Sequence, residues 1–312
     1  MKIAGQTIAK GANKQLTLSI ANLVSATPIE IPVFISRGQQ QGPVLLLMAG
    51  LHGDEINSVN VVKSIMQQKL NHVDAGCVIC IPVVNIFGFI HFSREVPDGK
   101  DVNRSFPGNK KGSLASQIAY QISDKILPYC DCIIDFHTGG KSRFNVPQTR
   151  AVLTDHKSKE LAVAFNAPFN LHSNLIKRSV RETAYNLGKS ILVYEGGEAL
   201  RFNEQAKEVA IDGVKNVLSF LKMKKHETSS KKGLILHKRK WLRAPLSGMF
   251  TPTIAVGDLV FPQQTIGYIS DPFNKNNAAC VNIKKAYVIS LNNNPMVNRG
   301  DAILQIAYNE EK

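Results

Sequence analysis

The fold is decided by residues 44–55, which run VLLLMAGLHGDE. The first five residues are apolar without interruption, which predicts a strand that is buried on both faces. From Ile56 to Leu70 apolar residues recur at helical spacing, which predicts a helix directly after the glycine-rich turn. A buried strand, a polar turn and a helix form the repeating unit of sheets that carry crossover helices.

The same alternation continues to residue 221. Further strands are predicted at 78–84, 132–136 and 190–194, and further helices at 113–127 and 203–221. We therefore expect an α/β fold with a mixed, largely parallel sheet flanked by helices. We assign it to a first domain that spans residues 1–225.

The pattern changes after a polar, charged segment at 226–240, which we interpret as a basic linker. Residues 241–312 contain short apolar runs and turns, and two of the turns, at Gly257-Asp258 and Gly300-Asp301, resemble each other. This weak duplication predicts a small all-β barrel or sandwich as a second, C-terminal domain.

The net charge of +14 is distributed unevenly along the 312 residues. Between Lys222 and Arg243 there are nine Lys or Arg residues and one acid, so this segment alone holds +8. A basic run that contains serine and glycine is more typical of a solvated connector than of a DNA-binding surface. We therefore predict no nucleic-acid partner, and we expect the remaining positive charge to favour small anionic substrates.

Membrane and secretory classes are disfavoured by the sequence. No stretch reaches the roughly 18 consecutive apolar residues of a membrane helix, and no signal segment precedes Ser25. An odd number of cysteines favours reduced thiols and a cytoplasmic location; these five are Cys77, Cys80, Cys130, Cys132 and Cys280. The sequence leaves the oligomeric state open, with a homo-oligomer as one alternative.

Metal-ligating residues occur at the ends of two predicted strands. His52 and Glu55 are three residues apart at the expected first turn of a helix, so that an imidazole and a carboxylate can bind one cation. His137 ends another strand and can supply a third ligand, because neighbouring parallel strands end at one crevice. This ligand set suits one Zn²⁺ per chain and leaves a fourth position open, as in catalytic zinc sites.

Acidic residues near the same strand ends are candidates for supporting roles. Asp135 lies two residues before His137, on the same face of the strand, and can orient that histidine. Glu195 directly follows the strand at 190–194 and is our candidate general base, with Glu198 as its competitor. A polar strand end without a function is the alternative for Asp135.

A long loop from Arg94 to Gly108 completes the candidate site. With these residues the chain resembles the succinylglutamate desuccinylase/aspartoacylase family, which is related to the zinc carboxypeptidases. The family's glycine-flanked HxxE and later histidine match His52, Glu55 and His137, and its DxNRxFPG motif matches residues 101–108. The resemblance covers essentially the whole chain.

The resemblance implies a role for each matched residue. Asn103 and Arg104 would hold a substrate carboxylate, Arg94 would help to stabilise the oxyanion, and Glu195 would be the general base. It also implies that residues 1–225 are a zinc hydrolase catalytic domain. The predicted activity is zinc-dependent hydrolysis of the amide bond of a small N-acyl amino acid or a related carboxylate-bearing amide.

Two other functions stay open from the sequence. One is a zinc carboxypeptidase or peptide amidase, which would act on free peptides. The other is a non-enzymatic binding protein that uses its basic segment to hold an acidic partner.

Overall fold

The computed structural model describes residues 1–227, 232–273 and 275–310. The helices are α1 (Ile56–Gln67), α2 (Ile86–Ile90), α3 (Leu114–Lys125), α4 (His156–Phe165), α5 (Val180–Asn186) and α6 (Glu204–Phe220). The strands are β1 (Lys2–Ile3), β2 (Gln6–Thr7), β3 (Asn13–Asn22), β4 (Pro28–Arg37), β5 (Gln40–Met48), β6 (Ala75–Ile81), β7 (Cys132–Gly139), β8 (Arg143–Ala151), β9 (Phe169–His172), β10 (Ser190–Glu198), β11 (Leu234–Leu236), β12 (Lys238–Arg243), β13 (Gly248–Pro252), β14 (Leu259–Val260), β15 (Thr265–Ser270), β16 (Asn277–Val281), β17 (Ala286–Asn292), β18 (Met296–Val297) and β19 (Ala302–Tyr308). None of the described helices is long and apolar enough to cross a bilayer.

One mixed sheet dominates the described part of the chain. Its strands follow the order β12-β19-β17-β8-β10-β7-β5-β6-β4-β3, with β9, β11 and β14 paired at its sides. The parallel pairs β6–β5, β5–β7 and β7–β10 form its centre, and antiparallel strands extend it on both sides. The prediction of a mixed sheet flanked by helices is confirmed.

Strand β5 separates two apolar cores. Leu45 and Leu47 pack on one face with α1, α4 and α6, and Leu46 and Met48 pack on the other face with α3 and α5. Successive residues of a strand point to opposite faces, so an uninterrupted apolar run fills both cores. This packing fixes the position of the strand end that leads into residues 49–55.

The main sheet continues into the C-terminal part of the chain. Strand β17 pairs with β8 through Ser290 opposite Asn145 and Leu291 opposite Phe144. Residues 234–236 and 238–243 are also strands, so much of the predicted linker at 226–240 is paired in the sheet; residues 228–231 lie outside the described part. The division into domains 1–225 and 241–312 joined by that linker stays a prediction.

The C-terminal residues also form a separate antiparallel sheet, in the order β16-β15-β13-β18. The two predicted glycine turns are alike: Gly257 and Gly300 have φ angles of 94° and 89°, which favour glycine. In each turn the following aspartate accepts a hydrogen bond from the backbone N–H three residues earlier, at 2.8 Å for Asp258 and 2.7 Å for Asp301. The two turns therefore share a positive glycine φ and the same aspartate hydrogen bond.

All five cysteines are buried and free of disulfides. Cys77 and Cys80 lie on β6 with no exposed surface. Burial raises the pKa of both thiols to about 12, since a thiolate would lose its hydration there. Buried thiols of this kind pack as small apolar side chains.

Candidate active site

The turn between β5 and α1 carries His52 and Glu55. The sequence predicted both residues in the first helical turn, but α1 begins only at Ile56, and Glu55 occupies the position before it. Within this turn, Gly53 passes so close to α2 that a Cβ atom there would lie 1.8 Å from the Gly88 carbonyl carbon. The turn is thus held against α2 and presents its polar side chains at the end of β5.

Neighbouring strands bring the other predicted residues to the same edge. Met48, the last residue of β5, is paired with Asp135 of β7, two residues before His137. On the other side of β7, Glu195 of β10 is paired with His137. The carboxyl ends of these parallel strands meet in one crevice, as their order in the sheet requires.

His52, Glu55 and His137 form a compact buried cluster. The two Glu55 carboxylate oxygens each lie 2.8 Å from an imidazole Nδ1, one from His52 and one from His137. One ligand atom from each residue lies within 4.8 Å of the others. The sequence prediction that HxxE and a distant histidine come together is consistent with this geometry.

The charges in the cluster are strongly coupled. Burial on its own raises the pKa of the Glu55 carboxyl, but the two imidazoles outweigh burial and hold this pKa well below its usual range. Burial lowers the pKa of His137, but Asp135 and Glu55 outweigh it and raise that pKa well above its usual value. The carboxylates around the imidazoles therefore favour a positive charge at this point.

Two further carboxylates face the outer nitrogens of the imidazoles. His137 Nε2 lies 2.8 Å from Asp135 Oδ2, and His52 Nε2 lies 3.4 Å from Asp101 Oδ1. A carboxylate behind each histidine leaves Nδ1 as the ligand atom and is the usual environment of metal-binding imidazoles. The described residues thus fit Zn²⁺ in donor type, charge and outer contacts.

Arg94 lies between the His52–Glu55–His137 cluster and the loop that contains Asp101. Its Nε and Nη2 donate to Asp101 Oδ2 at 3.2 and 2.9 Å, which fixes the guanidinium. Its Nη1 lies 3.2 Å from His52 Nδ1 and 3.8 Å from Glu55 Oε1. Arg94 therefore directs one N–H edge at the cluster, as a donor to a nearby oxyanion must.

Asn103 and Arg104 line the same pocket as the cluster. Asn103 Oδ1 accepts a hydrogen bond of 3.0 Å from the Val180 N–H, which ties the loop to α5. Arg104 Nη1 donates to the Asn103 carbonyl oxygen at 2.6 Å, and its side chain is exposed. Both predicted substrate-binding residues are therefore accessible from the pocket.

Glu195 and Glu198 have different surroundings. Glu195 lines the pocket, where Asn145 Nδ2 donates to its Oε2 at 2.7 Å and Arg150 Nη1 lies 2.8 Å from its Oε1. Glu198 instead accepts a hydrogen bond of 2.6 Å from Asn293 Nδ2. The geometry favours Glu195 as the carboxylate that faces the cluster.

The pocket has a volume of about 550 Å³ and contains residues that the sequence analysis missed. Arg181 and Ser173 line it, and Arg181 donates to the Ser173 carbonyl oxygen at 2.8 Å. Arg239 of β12 contacts this wall, since it donates to the Ser173 hydroxyl at 3.1 Å. Burial and the nearby Arg150 lower the pKa of Arg181 and of Arg239 to about 10. Arg239 had been counted with the solvated basic run, because nothing in the local sequence shows that β12 returns to this sheet.

Comparisons with known proteins agree with this architecture. The family model described as the succinylglutamate desuccinylase/aspartoacylase catalytic domain matches residues 41–221, more than half of the chain. The chain belongs to this family. The match covers β5 through α6 and so includes the predicted metal ligands and Glu195.

Individual relatives and solved structures match nearly the whole chain. An N-alpha-acetyl-L-2,4-diaminobutyric acid deacetylase from Halomonas elongata is 27% identical over 310 residues, covering 94% of this chain and 90% of the relative. A succinylglutamate desuccinylase/aspartoacylase from Rhodobacter sphaeroides is 25% identical with a TM-score of 0.84, covering 96% of each chain. The product-bound ectoine utilization protein EutE (DoeB) from Ruegeria pomeroyi is 22% identical with a TM-score of 0.85, covering 97% of this chain and 98% of that one, and shares the fold.

Proposed function

We propose that this protein is a zinc-dependent deacylase that hydrolyses the amide bond of a small N-acyl amino acid or a related carboxylate-bearing amide. The observation that carries the proposal is the buried His52–Glu55–His137 cluster, with Glu195 paired beside it on the next strand. Membership of the desuccinylase/aspartoacylase family supports an amide-bond deacylase.

His52, Glu55 and His137 would hold the metal. Zinc bound there would supply a Lewis acid that polarises the scissile carbonyl and lowers the pKa of a water molecule. Glu195 would take the proton from the attacking water and deliver it to the leaving amine. Asn145 and Arg150 support that role because they hold both Glu195 oxygens at the pocket wall.

The arginines of the pocket would bind the charges of the substrate and of the intermediate. Arg94 would donate to the oxygen on which negative charge develops, an effect typically worth about 3 kcal/mol for one well-placed donor. Asn103 and Arg104 would hold the substrate carboxylate, since a guanidinium pairs with a carboxylate through two hydrogen bonds. Asp135 would hold His137 with its Nδ1 free for the metal.

The test combines metal analysis with a substrate panel. We expect wild type to contain about one zinc per chain and to hydrolyse N-acyl amino acids, while His52→Ala loses the metal. Glu195→Gln should keep the metal and lose about 100-fold or more in kcat, because only the proton-transfer group is removed. Exposed His156 provides a control, since His156→Ala should change neither the metal content nor turnover.

Three results would contradict the proposal. A fully active Glu195→Gln variant together with an inactive Glu198→Gln variant would transfer the role of base to Glu198. Full metal content in His52→Ala would exclude the assigned ligand set. Hydrolysis of free peptides without hydrolysis of N-acyl amino acids would establish the carboxypeptidase alternative instead.

We also propose that the protein acts in the cytoplasm. Five buried cysteines without a disulfide support a reducing compartment. Fractionation of cells that produce the tagged protein tests this, and its recovery outside the cytoplasmic fraction would contradict it.

A further inference from the structure

One arginine of the pocket is held by an aromatic ring rather than by an acid. The guanidinium carbon of Arg143, the first residue of β8, lies 5.1 Å from the ring centre of Trp241 on β12. Both residues line the same pocket as the metal-ligand cluster. Stacking on an indole holds a guanidinium by its face and leaves its N–H edges free to bind a ligand.

Three other arginines of the pocket are engaged by the protein itself, and Arg104 is the residue proposed above to hold the first carboxylate. Arg94 pairs with Asp101, Arg150 pairs with Glu195, and Arg181 donates to the Ser173 and Asn174 carbonyl oxygens. Arg143 differs from Arg94 and Arg150 because no carboxylate in the described parts of the chain forms an ion pair with it. It differs from Arg181 because its side chain donates no hydrogen bond to a described residue. A half-buried guanidinium without an anion is a favourable place for one to bind.

The neighbourhood of Arg143 adds positive charge. Lys141 also lines the pocket, and it lies on the connection from β7 to β8. Gly140 lies beside Arg94, next to the metal-ligand cluster, since a Cβ atom at residue 140 would lie 3.5 Å from Arg94 Nη1. The pocket therefore runs from the cluster, past residues 140–141, to the Arg143–Trp241 pair.

We propose that Arg143, stacked on Trp241, binds a second carboxylate of the ligand. This proposal rests on the proposed function, in which Asn103 and Arg104 hold the first carboxylate. The second carboxylate can belong to the amino acid or to the acyl group. In either case it would accept hydrogen bonds from the guanidinium of Arg143. The Halomonas relative is named for an acylated diaminobutyric acid, whose side chain carries an amine, so we expect this chain to have a different substrate preference.

The experiment compares three substrates of the zinc-loaded protein. N-acetyl-L-alanine has one carboxylate, N-acetyl-L-glutamate has a second on the amine side, and N-succinyl-L-alanine has a second on the acyl side. We expect wild type to prefer one of the two dicarboxylates over N-acetyl-L-alanine by about tenfold or more in kcat/KM. The preferred substrate identifies the side on which the carboxylate lies.

Substitutions of Arg143 test the role of its guanidinium separately from that of the other pocket residues. Arg143→Gln should abolish the preference for the dicarboxylate while lowering kcat/KM for N-acetyl-L-alanine much less. Arg143→Lys keeps the charge without the planar fork and should retain part of the preference. Lys240→Gln is the matched control, because Lys240 is exposed on the same strand as Trp241 and carries the same charge.

Trp241 gives a second readout that needs no turnover, since it is the single tryptophan of the chain. Titration with L-glutamate or succinate should change its fluorescence saturably in wild type and in Lys240→Gln. In Arg143→Gln the same change should need at least about tenfold more ligand. The unliganded emission spectrum shows whether each variant is folded around this residue.

The outcomes separate the two proposals. Hydrolysis with no dicarboxylate preference, or with equal losses on all three substrates in Arg143→Gln, would overturn the role of Arg143 and leave the deacylase proposal intact. Absence of hydrolysis in every assay, with an Arg143-dependent fluorescence change, would overturn the deacylase proposal and support the anion site. No fluorescence change with either ligand in wild type would also count against the anion site.

Discussion

Asp135 is a buried carboxylate that forms a hydrogen bond of 2.8 Å with His137. We expect Asp135→Asn to weaken zinc binding by about 10- to 100-fold, because the amide holds the imidazole less firmly and makes it a weaker ligand. Competition with a chelator measures this loss. Asp98→Asn, at an exposed acid, should leave zinc affinity unchanged, and an equal loss in both variants would contradict the assigned role.

At the residue scale, local patterns predicted some of the site and missed the rest. His52 and Glu55 could be found because a three-residue spacing beside a buried strand already limits their geometry. Asn145 and Arg150, which contact Glu195, could not be found, because they lie on β8 some 50 residues away and belong to no local motif. Their partner is determined by strand order, which the local sequence does not encode.

At the element scale, the turn before α1 depends on Gly53. We expect Gly53→Ala to destabilise the protein by about 1–3 kcal/mol and to reduce zinc content, since its methyl group would collide with the Gly88 backbone. Urea unfolding and metal analysis measure the two effects. Gly300→Ala is the comparison: its φ of 89° should cost about 1 kcal/mol, but open space around it should leave zinc content normal.

Two buried cysteines of strand β6 make the free energy of unfolding depend on pH. The thiols of Cys77 and Cys80 have pKa values raised to about 12, so they stay protonated in the folded protein at pH values where the unfolded chain loses these protons. Their contribution to stability is fully present below about pH 8.5 and is lost as the pH rises toward 12. Urea unfolding at pH 8 and pH 10 should show this decrease, and a Cys77→Ala, Cys80→Ala double variant should show a smaller one.

The elements of the sheet centre were easier to predict than its sides. Strands β5, β7 and β10 each contain a mostly apolar run, and the sequence predicted a strand at each of these runs, at 44–48, 132–136 and 190–194. The observed strands extend further, to 40–48, 132–139 and 190–198. Strand β12 is different, because four of its six residues are basic and its inward residues are Arg239 and Trp241. Such a strand lacks the apolar alternation on which prediction depends, so its place beside the pocket became visible only in the structure.

At the scale of the whole molecule, an apolar cluster joins the C-terminal strands to the rest. Ile289 of β17 is fully buried with Phe169 and Leu171 of β9. We expect Ile289→Ala to lower the free energy of unfolding by about 2–5 kcal/mol and to shift a single cooperative transition. Calorimetry tests this against Ile283→Ala, at a residue 46% exposed, and two separate transitions in wild type would contradict the expected coupling.

Strand β12 ends the main sheet on one side in the described chain, and its outward residues include Lys238 and Lys240. An open strand edge offers unpaired backbone groups to any other strand, and lysines placed along it discourage edge-to-edge aggregation. The positive charge along this edge therefore disfavours pairing of β12 with the same strand of a second copy of the protein. The same strand can face the pocket with Trp241 and keep neighbouring molecules apart with its lysines.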